Sequence, residues 1–485
     1  MIKFLPQVKS FLLVFALSVG LEPCLNAQTL LKVSDYGINN AKSGVERYKI
    51  LLNVHKDAIE QGKGISYEGI DSLFLDIPQN PQSIPLPAIT DFAGVNIIVE
   101  NRQKNFHLFT MQGKKETVIV KNKQLRRGNY RAINALEKGV KVLILEDINP
   151  WIKQRKGYDV GVTRKDILYL KNGRAKNKPI QSYTTSSTNV KAYWFEGSVN
   201  TKEVKNLIFR RSANSTKETF LIRLDCQDKV MLSNIIITTP KSDMYADQII
   251  SITDCSNIMC ENIKIDGTYS QKNKYGYGIS MNNVWNSTFD QIDAKGEWGV
   301  FGTYNVNHSI VKNSRINRFD IHCYGRDIYM ENCEFRDLYN QISSVYGDVV
   351  FSRCCFVNCT PLLIESSFNA YTPFNVTWKD CLFYLDKSHN CLMHLGGITD
   401  VLNERQELRE KRLPNINVEN CKIIIPEDVE KWTVLQTGDV KGIENVKNKT
   451  SIKLKNILTE GFEKPMIVIS DEALIQSKVI RIKIN

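Results

Sequence analysis

The chain has 485 residues and a formal net charge of +12, with 42% apolar and 24% charged residues. A chain of this length can bury a large core as one folded unit. No apolar run is long enough to span a bilayer, so no transmembrane segment is predicted. The sequence also lacks the Walker, Rossmann, GxSxG and HExxH motifs of nucleotide-binding proteins, serine hydrolases and zinc proteases.

The first 27 residues have the pattern of a secretory signal peptide. Lys3 and Lys9 give a basic start, an apolar run follows from Phe11 to Leu21, and Ala27 precedes a cleavage position at Gln28. The sequence therefore predicts a secreted or periplasmic protein whose mature chain, residues 28–485, forms a single domain.

Residues 28–70 contain one helical pattern. From Val45 to Glu60 the apolar residues recur at helical spacing, and Gly62 and Gly64 follow the last turn. Glycines directly after such a pattern are typical of a helix end. We predict a helix over this range, followed by a strand that ends at Pro78.

Residues 111–190 are the least repetitive and the most basic part of the chain. Between Lys121 and Ser182 there are 16 lysines and arginines against 5 acidic residues, a balance of 16 − 5 = +11. The segment is predicted to be an irregular insertion. It is either a solvated basic surface or a basic wall that attracts an acidic polymer. In an exported protein, an acidic polysaccharide is a better candidate than nucleic acid.

The second half repeats a six-residue phrase in which apolar residues alternate around a central polar position. This period of two predicts a strand in each copy, and the spacing of roughly 20–30 residues between several successive copies is typical of a solenoid. No helical pattern separates the copies, which favours an all-β right-handed parallel β-helix. The six copies are Leu232–Ile237, Cys260–Ile265, Met330–Phe335, Phe351–Phe356, Trp378–Phe383 and Val418–Ile423.

Four of these copies carry cysteine at the same position: Cys333, Cys354, Cys381 and Cys421. Residues at one position of a solenoid repeat stack above each other, and free cysteine behaves as a small buried apolar residue. We therefore expect a column of stacked thiols, with disulfides as the alternative. A zinc site is not expected, because no pair of CxxC motifs has the required spacing.

The N-terminal region resembles that of the pectate-lyase-like right-handed parallel β-helix superfamily. The phrase Asp35-Tyr36-Gly37, the helix and the strand ending at Pro78 carry this resemblance, together with the repeat. The acidic, glycine-rich phrase often found there is replaced by residues 39–44. The resemblance implies a helical cap over the first coil. It also implies one of the superfamily's functions, which include polysaccharide lyases, glycoside hydrolases, epimerases and phage tailspikes.

A second strand precedes many copies of the repeat, and these strands align on an apolar centre that should face inward. Side chains next to each centre then face outward, because successive strand residues alternate. The aligned centres are Phe195, Ile222, Ile250, Ile279, Val300, Ile321, Ile342, Ile364 and Met393.

The strand centred on Ile321 concentrates titratable groups on one outer surface. Asp320, His322 and Tyr324 are its candidate catalytic residues, flanked by Arg318 and Arg326. The candidate substrate-binding residues on the same strand face of other rungs are Asn282, Thr303, Gln341, Ser343, Glu365, His394 and Arg223, and Tyr304 is a further candidate as an aromatic that stacks on sugar.

Our leading hypothesis is β-elimination on a uronate polymer, which needs a base, a cation for the carboxylate and an acid for the leaving oxygen. His322 would be the base and Tyr324 the acid. Arg318 or Arg326 would hold the substrate carboxylate bidentately. Asp320 would orient His322 or hold the sugar.

Two other functions stay open. A glycoside hydrolase needs two carboxyl groups about 5–10 Å apart, and Asp320 and Glu365 would lie roughly 10 Å apart, at the wide limit. A β-helix without catalysis would only bind a glycan or serve as a surface structure. No cofactor is expected. A calcium site is the alternative, without a dense carboxylate cluster to support it.

Overall fold

The computed structural model describes residues 29–119, 136, 138–153, 161–177, 190–239, 248–267, 276–294, 299–342, 345–364, 374–395, 413–438, 449–476 and 480–484. The predicted signal peptide, Ser343 and Glu365 lie outside these residues. Within them, no helix combines the length and apolar character needed to cross a membrane.

The N-terminal region contains the predicted helix, α1, over Gly44–Glu60. The Ser43 side chain accepts a hydrogen bond from the Glu46 amide at 3.1 Å, and Glu46 in turn accepts one from the Lys42 amide at 2.7 Å. These paired bonds satisfy amides that the first turn leaves open. The strands around α1 are β1 (Leu30–Lys32), β2 (Gly64–Ser66), β3 (Ser72–Asp76), β4 (Ile84–Pro85), β5 (Ile89–Asp91), β6 (Asn96–Glu100) and β7 (Phe106–Gln112).

One face of α1 packs onto the first coils of the solenoid. Its residues Tyr48, Leu51 and Val54 are buried in the main apolar core. Because the first coil has no strand before it, its interior must be covered from outside. The helix provides that cover.

A separate antiparallel sheet interrupts the solenoid after β7. Its strand order is β11-β10-β9-β12-β8, and a second apolar cluster that includes Leu143, Leu145 and Leu170 lies on it. The prediction of an irregular insertion is therefore wrong for the described residues, which form regular strands. These are β8 (Glu116–Thr117), β9 (Val140–Lys153), β10 (Gly161–Lys171), β11 (Arg174–Ala175) and β12 (Val190–Glu196).

The solenoid resumes directly beside β7, since β14 pairs with β7 and sets Ile222 next to Phe109. Phe195, predicted to begin the inward column, instead lies in β12 of the insertion. The strands of this central part are β13 (Lys202–Arg211), β14 (Thr219–Asp225), β15 (Asp228–Thr239), β16 (Ile250–Gly267), β17 (Tyr277–Ala294), β18 (Gly299–Lys312), β19 (Arg315–Ile316), β20 (Phe319–Cys323), β21 (Gly325–Glu331), β22 (Glu334–Arg336), β23 (Tyr339–Gln341) and β24 (Val345–Ser352).

The C-terminal coils continue the same parallel pairing, with a short helix α2 at Glu472–Gln476. A further parallel sheet contains β23 and four later strands. The remaining strands are β25 (Cys355–Val357), β26 (Thr360–Ile364), β27 (Asn375–Lys379), β28 (Leu382–Tyr384), β29 (Cys391–Leu395), β30 (Asn415–Glu419), β31 (Lys422–Ile425), β32 (Trp432–Thr437), β33 (Thr450–Lys455), β34 (Leu458–Gly461), β35 (Met466–Ile469) and β36 (Ile480–Ile484).

The central polar residue of the repeated phrase forms a corner between strands. Asn234, Asn262 and Asn332 have φ angles of 54°, 51° and 52°, in the left-handed region that asparagine tolerates better than most residues. The corners also bond to each other, since the Asn262 amide donates to Asn234 Oδ1 at 2.8 Å. The phrase thus repeats because each coil turns at the same place.

The predicted column of stacked thiols is present. Cys333, Cys354, Cys381 and Cys421 are buried and free, as are most of the other described cysteines. Each thiol donates to backbone carbonyls, for example Cys354 Sγ to the Met330 oxygen at 3.4 Å. The column fills the interior as small apolar side chains would.

The predicted register of the inward column is correct in part. Ile250 pairs with both Ile222 and Ile279, as predicted. On β18, however, Phe301 rather than Val300 lies beside Ile279. Because both residues are apolar, the sequence pattern could not decide between them, and a one-residue shift exchanges the two faces of a strand.

Candidate functional site

Strand β20 carries two polar side chains between inward-facing aromatic and aliphatic residues. Phe319 and Ile321 are buried in the core, so Asp320 and His322 lie on the opposite side of the strand. Asp320 ends an outward column of residues on successive coils, here named the outer ladder. The outer ladder comprises Thr110, Arg223, Ser251, Ser280, Gly302 and Asp320.

Asp320 is fully buried and its carboxylate is surrounded by donors. Arg318 Nε donates to Oδ1 at 2.6 Å, and the backbone amide of Gln341 donates to the same oxygen at 3.2 Å. The Tyr277 hydroxyl donates to Oδ2 at 2.6 Å. A buried carboxylate is stable only when it is bonded in this way.

Tyr277 also connects Asp320 to His322. The Tyr277 oxygen lies 2.9 Å from His322 Nε2. A phenol has one hydrogen, and an ionised Asp320 can only accept, so Nε2–H of His322 must donate to the phenol oxygen. Asp320 therefore fixes the imidazole tautomer through Tyr277.

His322 is half-buried and stacks on the ring of Tyr304, with centroids 4.9 Å apart and planes 21° apart. Its Nδ1 atom is covered by neighbouring atoms. A ligand can therefore reach this nitrogen only when the imidazole tilts or the side chains above it shift. Tyr304 and Asn282, which are paired in register and half-buried, lie on the same outward side.

Two glycines make room for the long side chains of this site. A Cβ atom on Gly302 would lie 2.3 Å from the Tyr277 ring, and one on Gly299 would lie 3.0 Å from Arg318 Cδ. The absence of side chains at these positions lets Tyr277 and Arg318 approach Asp320 across the sheet.

Arg318 is buried, so its predicted role in holding a substrate carboxylate is wrong. Its guanidinium is occupied by Asp320 and by Gln341 Oε1, at 3.0 Å, and it lies 4.4 Å from the centroid of the Tyr339 ring. Gln341, predicted to bind substrate, is likewise buried and holds Arg318. Both residues position Asp320.

Tyr324 does not share the outer surface with Asp320 and His322, which corrects the predicted catalytic group. It follows the end of β20, has a φ of 59° and is 1% exposed. The left-handed corner ends the alternation on which the prediction depended, and such a backbone is unusual for a bulky residue. The same corner on earlier coils is occupied by Cys226, Asp254, Asn283 and Asn305.

Thr303 also faces inward rather than toward a ligand, as a consequence of the register on β18. It is fully buried, and its hydroxyl donates to the backbone carbonyl of Asp320 at 2.7 Å. It therefore supports the strand that carries the site.

The other predicted residues are spread along the surface. Arg326 lies beyond the corner in β21, 3.4 Å from Asp327. Arg223 is exposed, forms an ion pair with Asp225 at 3.0 Å, and lies four coils before Asp320 on the outer ladder. His394 is half-buried in β29, where burial lowers its pKa.

Sequence reasoning missed Tyr277. Strand alternation assigns it to the same side as Ile279, which is buried in the core, so the outward columns omit it. As the first residue of β17, it reaches over Gly302 to Asp320. The two bonded side chains are 43 residues apart in sequence, so no local pattern predicts their contact. It depends on the close approach of the Tyr277 ring to Gly302 in the folded protein.

Among the described residues, one group has the composition of a metal site: Asp225, Cys226 and Asp254. The Lys115 ammonium lies 3.2 Å from Asp254 and already supplies positive charge there. Burial, followed by the charges of the two aspartates, raises the pKa of Cys226 to about 12, which keeps the thiol protonated. The Cys226 thiol donates to Asp225 Oδ1 at 3.3 Å and Asp254 is paired with Lys115, so these groups already have protein partners.

The fold is similar to two solved phage tailspikes. The tailspike gp61 of Pseudomonas phage phi297 has a TM-score of 0.54 at 13% identity, over 90% of this chain and 76% of that chain. The tailspike gp49 of Pseudomonas phage LKA1 has a TM-score of 0.50 at 12% identity, over 93% and 84%. No protein-family model and no curated protein matches the sequence. At these identities the likeness concerns the fold alone, and it confirms the right-handed parallel β-helix for this chain.

Proposed function

We propose that the protein is a secreted, carbohydrate-active β-helix enzyme that cleaves an acidic, uronate-containing polysaccharide by β-elimination. The observation that carries the proposal is the hydrogen-bonded chain Asp320–Tyr277–His322 on the outward side of β20. Such a chain can orient an imidazole and stabilise its protonated form, as a general base requires.

His322 would accept the proton α to the uronate carboxylate. Its tautomer, with Nε2–H donated to Tyr277, places the lone pair of the neutral ring on Nδ1. Because Nδ1 is covered in this structure, the ring would have to tilt away from Tyr304 when a glycan binds. Tyr304, which is half-buried on the same outward side, would donate the proton to the leaving oxygen in place of Tyr324.

The substrate carboxylate needs a cation that is not already buried with a partner. Arg318 is excluded because it is fully engaged with Asp320 and Gln341. The other arginine that flanks β20 in sequence is Arg326, which is partly exposed beyond the corner and lies 3.4 Å from Asp327, so it would have to exchange that partner for the substrate carboxylate. The outward surface is long enough for a polymer, since the outer ladder crosses six coils.

Hydrolysis is supported less well by the described residues. A hydrolase needs two carboxyl groups that reach the glycosidic bond. Asp320 is fully buried and bonded to three donors, which suits a positioning residue better than an acid in contact with substrate. Glu365, the second candidate, lies outside the described residues.

The proposal is tested by incubating the mature protein, from Gln28, with pectate, alginate, hyaluronan and neutral polysaccharides. Ultraviolet absorbance and reducing ends are recorded together, because elimination leaves an unsaturated uronate. We expect both signals to rise on one acidic substrate. His322→Ala should lower the rate about 100-fold or more. His389→Ala, which alters a loop histidine bonded to Asp386, should not change it.

A rise in reducing ends without a rise in ultraviolet absorbance would show that the protein cleaves its substrate by hydrolysis and not by elimination. Saturable binding of a glycan without any product would show that the protein binds glycans and does not cleave them. Normal turnover by His322→Ala would show that the reaction occurs elsewhere on the molecule.

A further inference from the structure

A cleft of about 690 Å³ lies where the end of α1, strand β7 and the insertion strand β12 meet. We call it the cap cleft. It is lined by residues of these elements and of the segments next to them, among them Lys63, Lys114, Trp194, Glu196, Lys202 and Gln227.

The cap cleft belongs to the same outward surface as the candidate catalytic chain. Thr110, which lines it, is the first residue of the outer ladder, and Asp320 is the last. The ladder takes five steps between them, so the two positions are about 24 Å apart at the spacing of neighbouring strands. The half-buried Thr253 and Asn282 and the exposed Arg223 lie along the way.

Positive charge dominates the described lining of the cap cleft. Lys63, Lys114 and Lys202 face two carboxylates, Glu116 and Glu196. Glu196 is already paired with Lys141, which lies outside the lining, so its charge is balanced. The remaining ammonium groups favour an anionic ligand.

Lys202 is the most informative of these lysines. It is half-buried, and its Nζ donates to the buried Gln227 Oε1 at 2.6 Å, which holds it at the cleft wall. Burial lowers the pKa of Lys202, an effect that the nearby charge of Asp228 opposes without cancelling. A carboxylate bound at this ammonium would compensate the desolvation.

Trp194 of β12 also lines the cleft, and its side chain packs against the apolar cluster of the insertion. Its ring is half-buried, and the Lys141 ammonium lies 4.6 Å from its centroid. An aromatic wall beside lysines suits a ligand with an apolar ring face and a carboxylate, as a uronic acid has. The chemistry of the cleft therefore matches the substrate class proposed for the outward surface.

We propose that the cap cleft is a distal subsite that binds a uronate sugar of the same polysaccharide, about 24 Å from Asp320 along the outer ladder. This inference rests on the proposed function for the identity of the polymer. The subsite anchors long chains across the surface, while a short oligomer bound at His322 does not reach it.

The direct test is calorimetric titration of the full mature protein with short saturated oligomers of galacturonate, mannuronate and glucuronate. We expect at least one to bind. The double variant Lys114→Met/Lys202→Met should weaken that binding about tenfold or more, because it removes two ammonium groups that can donate charge-assisted hydrogen bonds to the carboxylate. Lys217→Met, which removes an exposed lysine outside the cleft, is the matched control and should have no effect.

The second measurement uses the cleaved substrate. The double variant should raise KM for the polymer and leave kcat and the KM for short oligomers unchanged. His322→Ala should keep the calorimetric binding, which separates failure of the subsite from failure of the proposed reaction. Absence of binding by every oligomer, or equal binding by the wild type and the double variant, would overturn the subsite.

Discussion

At the scale of single residues, Tyr277 connects the buried Asp320 to the half-buried His322. Its hydroxyl donates to the carboxylate and accepts from the imidazole. Arg318 and the Gln341 amide hold the other carboxylate oxygen. These five groups act as one unit, because each bond fixes the orientation of the next.

Replacing Tyr277 with phenylalanine tests this unit. The change removes one donor from a buried carboxylate, which should lower the free energy of unfolding by about 1–3 kcal/mol. Under the proposed mechanism it also releases the imidazole, so turnover should fall about tenfold or more. Urea unfolding and initial rates on the substrate identified by the polysaccharide panel measure the two effects.

Tyr324→Phe is the matched control for Tyr277→Phe, because it removes a phenolic hydroxyl from the buried corner after β20. Its turnover should equal that of the wild type. A large loss of turnover in Tyr324→Phe, with little loss in Tyr277→Phe, would return the catalytic role to Tyr324 and contradict the arrangement described here.

At the scale of elements, the capping helix is joined to the solenoid through a buried histidine. His55 lies 2.8 Å from the Pro85 carbonyl through Nδ1 and 2.8 Å from the Tyr67 hydroxyl through Nε2. Nδ1 must donate to the carbonyl, so Nε2 accepts from the phenol and the ring is neutral. Burial lowers the pKa of His55 to about 4.

This neutral histidine predicts a pH dependence of stability. In the unfolded chain His55 binds a proton near pH 6.5, and in the folded protein it does so only near pH 4. The contribution of neutral His55 to the free energy of unfolding is therefore complete above pH 6.5 and is lost as the pH falls toward 4. The loss amounts to about 3 kcal/mol. Urea unfolding of the wild type and of His55→Gln across this range measures it.

Glutamine can keep both hydrogen bonds of His55 without titrating. The free energy of unfolding of His55→Gln should therefore change less with pH than that of the wild type. Parallel pH profiles for the two proteins would show that the cap does not depend on a neutral His55.

The cysteine column is a second element-scale feature with a chemical consequence. Burial raises the pKa of Cys354, and hydrogen bonds that Cys381 and Cys421 donate to the neighbouring thiol raise their pKa values. Thiols in this state do not attack alkylating reagents, because the thiolate is the nucleophile. The column is therefore structural.

We expect iodoacetamide to label Cys355 before any residue of the column in the folded protein. Cys355 is adjacent to Cys354 in sequence but half-buried rather than buried, which makes it an internal comparison. The column should react only after unfolding in urea. Peptide mapping by mass spectrometry reads both states, and early labelling of Cys381 or Cys421 would contradict the buried column.

At the scale of the whole molecule, an antiparallel sheet stands beside a parallel solenoid. Tyr169 of the insertion stacks on Trp285 of β17 with centroids 4.9 Å apart, and Phe195 of β12 packs with Cys226. Lys115 crosses to Asp254 at the same corner. These contacts hold the insertion against the solenoid, and under the proposed function its basic charge would attract the acidic polymer.

The sequence predicted the solenoid well because its signals are local. Alternation within each strand and a left-handed corner at Asn234, Asn262 and their counterparts recur in every coil. The capping helix and the thiol column also follow from short patterns. Where two apolar residues were adjacent, as at Val300 and Phe301, the pattern could not fix which one faced inward.

The site was predicted only in part. Alternation correctly placed Asp320 and His322 on the outward side of β20, but it could not show that Asp320 is covered. Burial of Arg318 and the reach of Tyr277 depend on Gly299 and Gly302 of a neighbouring coil. Such contacts join residues tens of positions apart, and no single-strand pattern records them.

By itself, the sequence determined that this chain winds into a parallel β-helix with a helical cap, because the period and the corners are properties of each coil. Only the tertiary structure decided which polar residues meet. Stacking of coils brings Tyr277, Asp320 and His322 into one hydrogen-bonded chain, and the position of β12 beside β7 and the end of α1 creates the cap cleft.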